Sequence, residues 1–220
     1  MCGRLALTLP PESVAHLFDA VFAAPDNLEP RYNVCPTTQV LTAVSTEDGR
    51  VMQKMRWGLL PHWYKTPNDG PLLINARAET IAEKPAFKSS CRSRRCLIPA
   101  TGFYEWTKAD DGGRDPHYIF PQSGEAFAFA GIWREWTGAD GSVMTTTAIV
   151  TCAANTQMSA IHHRMPVIVA PEDFALWLGE EGRGAAVLMK PAPEDTCQSY
   201  RVSRDVNGTK IDDPSLIAAI

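Results

Sequence analysis

No apolar run in this 220-residue sequence reaches the roughly 18–20 residues that a membrane-spanning helix needs, so no membrane partner is expected. The N-terminus lacks the basic stretch and apolar core of a secretory signal, which points to a cytoplasmic location. Low-complexity tracts, internal repeats and an obvious linker are also missing, which predicts one domain over residues 1–220. Cysteine is too sparse for a disulfide scaffold, and Cys2, Cys35, Cys91, Cys96, Cys152 and Cys197 form no C-x-x-C pair of the zinc-ribbon kind. His16, His62 and His117 stand at no metal-ligand spacing with the carboxylates, and no phosphate-cradling glycine-rich loop occurs. Neither a metal nor a cofactor is therefore expected. Lysine is scarce, 7 against 14 arginines, in a chain of net charge −4. That balance excludes a wholly cationic surface but leaves room for a local patch, and arginine suits bidentate phosphate contacts.

What is present reads as short strands with a few helices. Val14, Leu17, Phe18, Val21 and Phe22 recur at helical spacing behind Pro10 and Pro11, predicting an amphipathic helix over 12–23. VLTAV and VMQKMRW flank Asp48-Gly49, a hairpin signal. LIPATGFYEW runs toward Asp111-Gly112-Gly113 and HYIF, while AFAFAGIW and TTTAIVT flank Asp140-Gly141. YRVS is a further strand candidate. Short helices are expected near 79–87, near 156–161 and at DFALWL. The expected class is α+β, built on a curved, barrel-like and mainly antiparallel sheet.

Cys2 is the first chemical question. Aminopeptidases remove Met1 when the next side chain is small, so the mature chain is expected to start at Cys2. A free N-terminal cysteine carries two nucleophiles two carbons apart: an amine with an ordinary pKa of about 7.7–8.0 and a thiol near 8.5. The amine condenses with an aldehyde to an imine, and the sulfur then closes a five-membered thiazolidine. An internal cysteine has no such amine. The competing reading is a small buried residue beside Gly3.

Four polar islands interrupt apolar sequence. LLINARAET carries Asn75, Arg77 and Glu79; GFYEW carries Glu105 among aromatics; IHHRMP carries His162, His163 and Arg164. RYNVCP, with Arg31 and Asn33, reads as a turn or groove wall. If buried, Glu105 has a raised pKa suited to proton transfer, whereas simple strand alternation turns it to solvent. His162 suits proton shuttling near neutrality, or is a surface or capping histidine. Asn75 orients a reacting group or caps a turn. Arg77 and Arg164 grip phosphates or form ordinary ion pairs. Cys91-Arg-Ser-Arg-Arg-Cys96 is a basic knot that reads as a charged turn entering the next strand.

Taken in order, MCGR, RYNVCP, WGLLPHW, NARAET, RRCLIPATGFYEW and HHRMP resemble the SRAP family (SOS response-associated peptidase), the abasic-site shielding proteins of bacteria and eukaryotes. The resemblance runs from residue 2 to about residue 170, with a matching tail at YRVSRDVN. It implies a single α+β domain that binds single-stranded DNA and captures abasic sites covalently through Cys2, a lyase-type crosslinking activity. Motif by motif, it implies catalytic roles for Cys2, Asn75, Glu105 and His162. It implies DNA contacts by Arg4, Arg77, Trp106, Thr151 and Arg164, with Pro36 and Trp63 lining the channel. The expected protein is a monomer, cytoplasmic and nucleoid-associated on damaged DNA, with no cofactor. Two positions depart from the pattern: Cys35 adds a thiol where a small residue is common, and Tyr64 follows Trp63 where some relatives carry tryptophan.

In the implied reaction Glu105 and His162 move protons during sugar opening and dehydration, Asn75 holds the amine or sugar, and the arginines grip phosphates. The alternative class is an N-terminal-nucleophile cysteine hydrolase, either glutamine amidotransferase-like or a peptidase, with the thiolate attacking an amide and the α-amine as base. The family's peptidase label is taken to mean self-processing at Met1 at most.

Overall fold

The computed structural model describes residues 2–23 and 28–220; the expected processing at Met1 falls outside them. In chain order the elements are β1 (Leu5–Leu7), α1 (Pro11–Phe18), β2 (Ala20–Phe22), β3 (Arg31–Val34), β4 (Gln39–Thr46), β5 (Gly49–Trp57) and β6 (Asn75–Arg77). Then come α2 (Lys88–Ser93), β7 (Arg95–Ala100), β8 (Gly102–Lys108), β9 (Arg114–Pro121), β10 (Phe127–Thr137) and β11 (Val143–Ala153). The chain finishes with α3 (Thr156–Ser159), β12 (Arg164–Pro166), α4 (Phe174–Leu178) and β13 (Cys197–Arg201), plus short 3₁₀ turns.

Five strands close a barrel in the order β11-β10-β7-β4-β5. Its seam is a parallel contact between β5 and β11, Arg56 opposite Thr146 and Trp57 opposite Thr147, so the barrel is mixed. Closure removes the open edges a five-stranded sheet would otherwise present. A second antiparallel sheet, β13-β9-β8-β1-β3, packs beside it. This is the expected α+β class with a curved, mainly antiparallel sheet and short helices. The main core is rich in Phe, Ile, Val and Met, including Met55, Ile98, Phe103 and Phe129. A smaller cluster of Tyr104, Tyr118, Val202, Val206 and Leu216 fastens the C-terminal segment to the far face of the second sheet. No helix among the described residues is long and apolar enough to cross a membrane.

The two hairpins form as their turn residues predict, with Gly49 and Gly141 both at positive φ. Four local readings differ. The first helix stops at Phe18, not 23, because Asp19 takes a left-handed conformation and Ala20–Phe22 pairs with β5 in parallel. The helix anchors through Val14 and Phe18, the latter stacked on Phe174 at 5.2 Å, and leaves Val21 exposed. No helix forms over 79–87: Pro85 lacks an amide N–H, and the chain makes separate turns until α2. RYNVCP is not a bare turn, because its first four residues form β3, paired with β1. LIPATGFYEW divides at Thr101 into β7 in the barrel and β8 in the second sheet. Gly102 makes this crossing possible, since a Cβ there would collide with the Tyr118 ring.

Candidate active site

The site begins with strand register. β1 and β8 are antiparallel, with Leu5 opposite Phe103 and Ala6 opposite Gly102. The Tyr104 N–H donates to the Arg4 carbonyl at 3.0 Å, so the pairing continues toward the N-terminus. Extending that register puts Gly3 opposite Glu105. Cys2 therefore sits beside a carboxylate that lies more than a hundred residues away in sequence.

Both groups are buried: Cys2 is 1% exposed and Glu105 3%. Strand alternation fails to send Glu105 to water because β8 is covered on both faces. Phe103, on the same face as Glu105, enters the main core, and Tyr104 enters the smaller cluster behind. Burial raises the Glu105 carboxyl above its ordinary range, partly offset by nearby positive charge that includes His163. Burial, and then the negative charge of Glu105, pushes the Cys2 thiol well above its ordinary value. The resting sulfur is therefore a thiol.

Asn75 reaches the same place from the barrel side. It opens β6, a three-residue strand held parallel to β11 with Asn75 opposite Ile149. Its Nδ2 donates to the Cys2 carbonyl at 2.9 Å. Its buried Oδ1 has no hydrogen-bond partner among the described residues. Such an acceptor costs about 1–3 kcal/mol when left unpaired, which suits it to a substrate or amine N–H or O–H. His162 follows α3 and is half-buried. Its Nδ1 lies 3.0 Å from the Arg164 backbone N–H and 3.1 Å from the Arg164 carbonyl oxygen, so the backbone of Arg164 holds the ring in place. Burial lowers its pKa, and it stacks on His163 at 4.3 Å.

The end of β11 gathers the phosphate-binding candidates. Thr151 stands opposite Arg77 on β6 and Pro166 on β12. Thr151 is fully buried, while Arg77 is exposed. Arg164 turns back over this end, donating Nη2 to the Thr151 carbonyl at 2.7 Å. It also grips Glu79 in bidentate fashion at 2.7 and 2.9 Å, which lowers the Glu79 pKa. Trp63, exposed at 48%, joins Leu73, Asn75, Arg77, Lys84 and Phe87 around a groove of about 520 Å³. Tyr64 does not extend that aromatic surface, because it is buried against Leu60 and Trp136.

Arg4 and Trp106 are tied to the C-terminal segment. Arg4 Nη1 donates to Asn33 Oδ1 and to the carbonyls of Val206 and Gly208, and Trp106 Nε1 donates to Asn207 Oδ1 at 2.6 Å. Pro36 follows β3, half-buried, and does not line the groove. Cys35 Sγ is turned to the Asn33 carbonyl at 3.3 Å, with burial raising its pKa. Two partners carried no sequence signal for their role: Glu79 meets Arg164 across 85 residues, and Asn207 meets Trp106 across 101.

The chain is similar to known proteins over almost its whole length. Residues 1–209 match the profile of the family described as SOS response associated peptidase (SRAP). The chain is 37% identical over 221 residues to the "Abasic site processing protein YoqW" of Bacillus subtilis, covering 99% of each. It is 31% identical over 232 residues to the "Abasic site processing protein YedK" of Escherichia coli, covering 100% of each. A solved structure of a Bacteroides thetaiotaomicron protein superposes with a TM-score of 0.88 at 26% identity, covering 100% of both chains. The chain belongs to the SRAP family.

Proposed function

We propose that this protein processes abasic sites in single-stranded DNA by closing a thiazolidine between the sugar aldehyde and Cys2 once Met1 is removed, the whole chain 1–220 acting as one domain. The observation that carries the reading is the convergence of Cys2, Asn75 and Glu105 in a buried site that opens beside an aromatic, cation-rimmed groove. The names of the relatives supply the substrate class.

The Cys2 nitrogen adds first to the aldehyde carbon, since the thiol is protonated at rest. Glu105, holding its proton to higher pH than an ordinary carboxyl, protonates the carbinolamine oxygen, which leaves as water and yields the imine. Sγ then adds to the imine carbon, and its proton ends on the ring nitrogen, with Glu105 as the carrier. The net change is the loss of one water. Asn75 holds the Cys2 carbonyl and offers Oδ1 to the amine or sugar. His162, neutral near pH 7, assists sugar opening. Held together, amine, thiol and aldehyde gain the proximity advantage of an intramolecular reaction, up to about 7–11 kcal/mol in well-oriented cases. Arg77 and Arg164 grip phosphates, and Trp63 and Trp106 stack on bases, each contact worth about 1–3 kcal/mol.

The test is to incubate processed protein with an abasic single-stranded oligonucleotide. The expected result is an adduct that survives denaturing electrophoresis and maps by mass spectrometry to the residue 2 peptide. Linkage at an interior side chain, or no adduct, overturns the proposal.

A further inference from the structure

A second depression lies across the 80–91 segment from the Trp63 groove. It is a cavity of about 580 Å³, and Arg92, Arg95 and Arg183 line it with Cys91 and Trp177. No Asp or Glu lines it, and none of the three arginines forms an ion pair among the described residues. The neighbouring Glu180 is bonded to Arg50.

Arg95 is built in rigidly. Its Nε donates to the Trp177 carbonyl, and its Nη1 donates to the carbonyls of Cys91 and Arg92, both at 3.0 Å. Its guanidinium lies 6.0 Å over the Trp177 ring. Gly179, at φ 91°, admits it: a Cβ there would come within 2.8 Å of Nη2. The result is a half-buried cation without a counter-ion, flanked by two exposed arginines, an arrangement an anion would stabilise. The cavity and the groove lie on one shared segment of chain, whose residues line them alternately. Ala82 lines the cavity while Thr80 and Lys84 line the groove, and the Cys91 N–H donates to the carbonyl of groove residue Phe87 at 2.8 Å.

We propose that this cavity is a second, lesion-independent phosphate site, in which Arg92 and Arg183 hold a backbone phosphodiester of single-stranded DNA several nucleotides from the Asn75 groove. The proposal rests on the DNA-binding reading above and extends the strand beyond the lesion. Arg95 presets the positive field and is left intact in the test because it fastens α2, β7 and α4.

The experiment measures binding of undamaged oligothymidylates of increasing length to wild type and to an Arg92→Gln, Arg183→Gln double variant, with melting curves to show both are folded. Wild-type affinity should rise at the length that reaches the cavity. The variant should lose that rise, and its slope of log affinity against log salt should fall by about 1.4 for two single-strand contacts. Crosslinking to a short abasic oligonucleotide should stay within twofold. Superimposable binding at every length overturns the proposal. Cys91 alkylation by iodoacetamide, read by peptide mapping, supplies a second measure: a long oligonucleotide should slow it several-fold. Protection by inorganic phosphate or free thymidine monophosphate, but not by the oligonucleotide, overturns the strand assignment in favour of a small phosphorylated ligand. Loss of abasic crosslinking with the length dependence intact would sink the proposed function and leave this site standing.

Discussion

The side-chain amide of Asn75 donates to the backbone carbonyl of Cys2 at 2.9 Å, tying the start of the chain to a strand 73 residues later. This bond fixes where the Cys2 nitrogen and sulfur lie relative to Glu105. Asn75→Ala should slow adduct formation about 10–100-fold, since small displacements of a reacting group carry costs of that order. Its effect on stability should be only about 1 kcal/mol. A melting curve and single-turnover crosslinking separate the two. A variant that melts far lower but crosslinks at the wild-type rate once folded would contradict the positioning role.

Glu105→Gln should slow adduct formation about 10²–10⁴-fold, the usual worth of general acid–base catalysis. It should also stabilise the protein above acidic pH. The folded-state pKa of Glu105 is raised by burial, so its contribution is fully present below the ordinary carboxylate range and is lost as pH rises through the folded value. The variant has no such loss. Its melting temperature should match wild type near pH 4 and exceed it near pH 8, and the reverse order would contradict the burial argument.

Cys2→Ser keeps the terminal amine but replaces sulfur with a poor ring-closing oxygen. It should give an imine that borohydride traps and little adduct without reduction. Cys2→Ala should behave alike. Protein retaining Met1 should form no thiazolidine, because the Cys2 nitrogen is then an amide. A stable unreduced adduct from Cys2→Ala would argue against sulfur in the linkage.

Arg164 divides its guanidinium between Thr151 and Glu79. Glu79 is half-exposed, so the pair itself is worth little, under about 1 kcal/mol. Its effect on DNA is larger, because it competes with phosphate for the same nitrogens. Glu79→Gln should tighten single-strand binding several-fold at low salt and steepen the salt dependence. Arg77→Gln should weaken binding and lower the salt slope by about 0.7. Fluorescence anisotropy at two salt concentrations tests both, and unchanged affinity in Glu79→Gln would show that Arg164 does not contact the strand.

Gly102→Ala should destabilise the protein by about 1–3 kcal/mol, because the new methyl must displace the Tyr118 ring. Gly102 also pairs with Ala6, so adduct formation should slow in the folded fraction. An unchanged melting temperature would mean Tyr118 moves freely.

The sequence by itself determined what is local or chemical. Turn residues set the two barrel hairpins, while their registers, Thr46 opposite Gly49 and Thr137 opposite Val143, came with the structure. The order of the motifs set the family. Cys2, Asn75 and Glu105 stood out because each carries chemistry that ordinary packing does not require. Tertiary structure alone decided everything that depends on which chains meet. Whether Glu105 faces water or protein is ambiguous in GFYEW, because alternation gives a face but not what covers it. Phe103 on the same face enters the main core and β1 runs alongside, so segments about a hundred residues away bury Glu105. The end of α1 was misread because Val21 and Phe22 fit a helical stripe equally well until β5 offered them backbone partners. That Glu79 would meet Arg164, and Asn207 Trp106, was invisible for the same reason. Their contacts span about a hundred residues, and long-range register, set by barrel closure and by the crossing at Thr101, has no signature in a short window of sequence.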